Sequence, residues 1–229
     1  MKKIVSILIL SAACALLMFF APACGAAGNK YESSISEYRS DVYAGENERF
    51  RITLITGDRE NPFEIDGVSG EKNDYTLITV VPKNATADKS LEITAVAGGK
   101  DIKGTAIRHP YKDSFSFEFM AKTSAEEVTV TLSDGNSDSS VTLSNVRGEA
   151  EISGRQALEN AAEALEDSLS PFCSKDKFSG EIYLRYIENP IASDGKYFWY
   201  VAFVPSADPD KTIAALVDVV TGEVKASRK

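Results

Sequence analysis

Three cysteines and a single histidine are the side chains in this 229-residue sequence with the widest chemical range. A thiol can accept an acyl group, act as a nucleophile or form half of a disulfide; an imidazole can move protons near neutral pH. His109, followed by Pro110 and Tyr111, has no second histidine and no G-x-S-x-G or H-E-x-x-H pattern beside it. A Ser-His-Asp site would therefore need scattered residues to converge, and zinc would lack its usual ligands. His109 reads as a loop residue. Cys173, next to Phe172, reads as a small buried hydrophobe. Asp134, Asn136 and Asp138 put oxygen atoms at alternate positions around Gly135, part of a calcium-loop spacing without the later glutamate such loops use. Tight turns need the same residues, and a turn is the reading adopted. Asn84-Ala85-Thr86 is a glycosylation sequon by letter and reads as a polar turn after Pro82. No catalytic, metal-binding or cofactor-binding set emerges, and a non-enzymatic chain is expected.

Cys24 is the thiol with a context. Lys2 and Lys3 precede an uncharged stretch, Ile4 to Phe20, of signal-peptide length, which ends in Ala21-Pro22-Ala23-Cys24-Gly25. The small residues before the cysteine resemble the lipobox of bacterial lipoproteins, with Ala21 where that family usually carries Leu. The resemblance implies a signal peptide over 1–23, lipid on Cys24, a lipid-anchored linker over 24–34, and residence on the outer face of the cytoplasmic membrane. Ordinary cleavage after Ala23 or near Ala26-Ala27 is the alternative. An uncleaved anchor is the third, and so short a run is marginal for about 30 Å of hydrocarbon. With Cys24 acylated and Cys14 removed, Cys173 stands alone and no disulfide framework is possible.

The elements that follow must be held by cores. The formal charge is −9, and removing Lys2 and Lys3 makes it more negative, which argues against nucleic acid or anionic lipid as a partner. Membrane contact is thus expected through the N-terminal lipid only. Over 35–148 the period is two. Phe50, Ile52 and Leu54 alternate with polar residues, as do Leu91, Ile93 and Ala95; Phe115, Phe117 and Phe119 share a face, followed by Val128, Val130 and Leu132, then Val141 and Leu143. With Tyr75 to Val81 and a hairpin at Gly98-Gly99 into Ile102 and Ala106, that makes about seven strands. An all-β, immunoglobulin-like sandwich is the expectation for them, on architecture alone.

From Ser153 the period changes. Ser153 and Gln156 form a capping-box pattern, and Ala157, Leu158, Ala161, Leu165 and Leu169 recur at helical spacing up to Pro171. Period two returns in 182–187, 197–204 and 213–220, predicting one helix across an antiparallel sheet, a small α+β domain over 153–229. This segment resembles a PepSY domain in its opening helix (Ala157-Leu158, Ala161-Ala162, Ala164-Leu165), its aromatic strand Tyr197-Phe198-Trp199-Tyr200-Val201, and its ending Val217-Asp218-Val219-Val220-Thr221-Gly222-Glu223-Val224. Two loops, 189–195 and 206–211, look longer than the family's. The resemblance implies a non-catalytic domain that binds or restrains an exported peptidase, or another cell-envelope protein. Tyr197, Phe198, Trp199 and Tyr200 are the candidate partner surface; the competing reading packs one face of that strand on the helix and the other on the preceding domain. A ligand-binding or adhesive role for the sandwich loops is the alternative function.

Overall fold

A computed structural model describes residues 27–84, 90–148, 151–174, 177–192 and 194–229. The leader, Cys14, Cys24 and residues 85 and 86 of the sequon lie outside them. A short helix, α1 (Ala27–Glu32), precedes eight strands: β1 (Ile35–Glu46), β2 (Phe50–Glu60), β3 (Lys72–Pro82), β4 (Ser90–Ala97), β5 (Lys100–Arg108), β6 (Phe115–Phe119), β7 (Glu127–Ser133) and β8 (Asp138–Asn145). The helices α2 (Gly154–Ala164) and α3 (Glu166–Leu169) follow, then β9 (Gly180–Glu188), β10 (Tyr197–Pro205), β11 (Ile213–Asp218) and β12 (Val224–Arg228).

The first eight strands do not form an immunoglobulin-like sandwich. They run β1-β2-β3-β6-β5-β4-β7-β8 with every neighbouring pair antiparallel, and β8 pairs back onto β1 through Tyr43–Asn145 and Ala44–Ser144, closing a barrel. Alternation specifies that each strand has one buried face; it does not say whether those faces meet across two sheets or point into one closed sheet. The deciding strand is β1. Its register shifts between Arg39 and Asp41, an irregularity that bends it. Beyond the bend Gly45 lets β8 approach so closely that a Cβ there would lie 2.4 Å from the Thr142 carbonyl oxygen. The interior is filled, as expected of eight strands, by side chains that include Tyr43, Ile52, Leu54, Ile78, Phe115, Val130 and Leu143.

The last four strands are likewise not a separate sheet. The first half of β1 pairs in parallel with β9, from Ile35–Ile182 to Arg39–Arg185, so β9, β10, β11 and β12 continue the barrel wall as an antiparallel extension of one twelve-stranded sheet. On one face of that extension lies α2. Ser153 caps it, its Oγ accepting the Gln156 amide at 3.2 Å, and Ala157, Leu158 and Ala161 pack on Leu184, Trp199, Val201 and Val217. Tyr31 and Val42 from the N-terminal side complete this second core.

Candidate functional site

The aromatic strand β10 divides its rings between two faces. Trp199 is fully buried against α2, its Nε1 donating to the Ile152 carbonyl at 3.2 Å, with Tyr38 stacked at 6.0 Å and Tyr186 edge-on at 5.3 Å. Tyr197 stacks on Tyr186 at 5.2 Å on the same side. The alternating position, Tyr200, faces away and borders a groove of about 220 Å³ with Ala214, Leu216, Ala226 and Arg228. Phe198 is half-buried. The four rings do not make one patch: Trp199 is core, and Tyr200 is the one that reaches the groove.

The groove flanks β12, which among the described residues pairs with β11 alone and ends the sheet. The turn leading into β12 is built by Asp218, whose Oδ1 accepts the amides of Val220 and Thr221 and the Thr221 hydroxyl; these bonds, the Thr221 amide foremost, hold its carboxyl below the usual range. Gly222 supplies a φ of +73° there, and Asn160 of α2 donates to its carbonyl at 2.8 Å. The closing motif read from sequence is thus a hydrogen-bonded turn pinned to the helix.

The residues singled out for chemistry are occupied structurally. Asp134 Oδ1 accepts the amides of Asn136 and Ser137 at 2.9 Å and Oδ2 pairs with Arg49 at 2.8 Å, so its oxygens serve a turn. His109 Nδ1 accepts the Tyr111 amide at 3.1 Å in an exposed loop. Cys173 is partly buried, its Sγ 3.9 Å from the Tyr31 hydroxyl. Among the described residues no group of three or more His, Cys, Asp or Glu side chains could hold a metal ion.

The concentration of buried charge lies elsewhere, where the barrel meets the extension. Glu37 on β1 is 2% exposed and takes Arg185 from β9, Arg39 at 3.3 Å and the Tyr75 hydroxyl at 2.6 Å. Burial alone would raise its carboxyl; the Arg185 and Arg39 charges and the Tyr75 bond more than offset that, and the group sits below its ordinary value. Burial and the Glu37 charge push the Tyr75 phenol upward. Beside it, Glu60 and Glu181 lie under the 61–71 connection between β2 and β3. Gly70 N donates to Glu60 Oε2 at 2.8 Å and Gly67 N to Glu181 Oε1 at 3.0 Å. Sequence reasoning missed this set. The only signal was a glutamate directly before the apolar run 182–184, and nothing local says that it points inward.

A second cleft, about 260 Å³, lies between the start of α2 and the barrel, lined by Ile35, Tyr38, Leu158 and Leu184 with Asp58, Lys72 and Arg155 at its polar margin. Arg155 is paired with Glu32, and Lys72 lies 3.8 Å from Asp58, so the charges of that margin are mutually neutralised. No family of known proteins, no curated protein and no solved structure matches this chain.

Proposed function

We propose that this chain is a non-catalytic accessory protein of the cell envelope, lipid-anchored through Cys24, whose C-terminal region binds and restrains an exported peptidase. The resemblance of residues 153–229 to PepSY domains supplies the partner class. The observation that carries the reading is the free edge of β12 beside the groove of Tyr200, Ala214, Leu216 and Ala226. An extended segment can add to such an edge by main-chain hydrogen bonds and drop a side chain into the groove, giving affinity and specificity from the same contact. Lys225 and Arg228, with the register shift between Leu216 and Val217, discourage pairing between copies of the edge. Lys225 is paired with Glu223, and Arg228 at the rim of the groove favours a segment that carries a carboxylate.

The test is photo-crosslinking in the native host, with the crosslinker at Ser227 in one strain and at Lys103, on the barrel, in another. A secreted peptidase captured from Ser227 and absent from Lys103 supports the reading. Capture of no peptidase from Ser227, or equal capture from both, contradicts it.

A further inference from the structure

The 61–71 segment is a strap that ties the barrel to the extension. Besides the two glycine amides, Tyr183 donates to the Glu64 carbonyl at 3.3 Å, Ser206 to the Gly67 carbonyl at 2.6 Å, and Phe63 packs edge-on against Tyr183 at 6.0 Å. Beneath it Glu60 is 3% exposed and Glu181 fully buried. Each carboxyl spends one oxygen on the strap; among the described residues Glu60 Oε1 and Glu181 Oε2 make no hydrogen bond of ordinary geometry, with the Ser36 hydroxyl beside Glu60 and the Tyr183 phenol beside Glu181.

The nearby cations are committed elsewhere. Arg39 and Arg185 pair with Glu37, Arg59 pairs with Glu118, and the Lys72 amine lies by Asp58. Among the described residues the remaining groups that face the pair are acidic or neutral: Asp66 on the strap, Ser36 on β1 and the Tyr183 phenol on β9. A carboxyl buried beside a second one, with the nearby cations committed elsewhere, is driven toward its neutral form. A proton on Glu60 removes that charge and turns its unpartnered oxygen into an O–H donor.

We propose that Glu60, buried under the strap beside Glu181, is held protonated, and that this proton latches the strap 61–71 onto the extension. Burial, and then the Glu181 charge, raises the Glu60 carboxyl above its ordinary 4.5. A raised carboxyl stabilises the closed state fully below its ordinary value and loses that contribution as pH rises through the raised one. The strap therefore loosens toward alkaline pH and uncovers the side of Tyr183 beneath Phe63. The latch is independent of whether a peptidase docks at β12.

Hydrogen exchange at the Gly67 and Gly70 amides of the full chain, corrected for intrinsic rates, measures it between pH 4.5 and 9. Protection is expected to fall with pH, about tenfold for each unit by which the Glu60 pKa is raised, and to stay level in Glu60→Gln, which is permanently neutral. Level protection in the native chain, or the same fall in Glu60→Gln, overturns the proposal. Recovery of protection at high pH by millimolar Ca²⁺ or Mg²⁺ also overturns it, since a cation would then be the neutralising partner. Should Glu60→Gln not fold, ¹³C titration of the side-chain carboxyls in the native chain decides: Glu60 must titrate above the ordinary carboxylate range, and its ordinary titration rejects the latch.

Discussion

At the scale of single residues, burial rather than residue type sets the roles. Trp199 is conspicuous in the sequence and was a candidate for a partner surface, yet its ring lies between α2, Tyr38 and Tyr186. Trp199→Ala should cost about 3–5 kcal/mol by opening a cavity in that core, read by chemical denaturation; a loss below about 1 kcal/mol would mean that the ring is not packed as described. Glu37 carries the opposite lesson. Its lowered carboxyl contributes stability that is present above its ordinary 4.5 and is lost as pH falls through the lower folded-state value. Glu37→Gln should remove about 3 kcal/mol at neutral pH by leaving Arg185 and Arg39 without their counter-charge. It should also flatten the acid limb of the stability profile, and an unchanged limb would assign acid sensitivity to other groups. Sequence alone could not find Glu37, because strand period predicts solvent at a charged position and the partners come from 39, 75 and 185.

At the scale of elements, local patterns were legible and closure was not. The helix from Ser153 and the strands from Phe50 onward follow from their periods, and Ser153→Ala should cost about 1 kcal/mol through the lost cap. β1 escaped notice. Ser36 and Glu37 occupy buried positions in it and its register shifts at Arg39, so no clean alternation remains. That strand converts what reads as a sandwich followed by an α+β domain into a closed barrel with a continuous extension. Gly57 is the sharpest probe of its path, since a Cβ there would lie 2.0 Å from the Tyr38 carbonyl oxygen. Gly57→Ala should therefore destabilise by about 1–3 kcal/mol through forced backbone movement, and a neutral thermal shift would show that β1 and β2 are not so close.

At the scale of the whole molecule, β1 belongs to both cores: its first half pairs with β9, its second half with β8, and Val42 packs with Leu184 and Trp199. A fragment of residues 153–229 lacks β1, Tyr31 and Val42, leaving β9 with an open edge and its core unroofed. It should give no cooperative unfolding transition by circular dichroism, whereas residues 25–229 should; a sharp transition in the fragment would show that the C-terminal region folds unaided. The proposed docking edge lies at the far end of the same sheet, where β12 is the last strand among the described residues. The most direct measurement is titration of the secreted peptidase activity of the native host with purified residues 25–229 and with Ala226→Trp, which fills the groove while leaving the cores untouched. Saturable inhibition by the native chain, weakened about tenfold or more by Ala226→Trp, which corresponds to about 1.4 kcal/mol of contact energy, is the expected result. Activity that does not change at any concentration of the native chain, or inhibition indifferent to the groove, would contradict the proposed role.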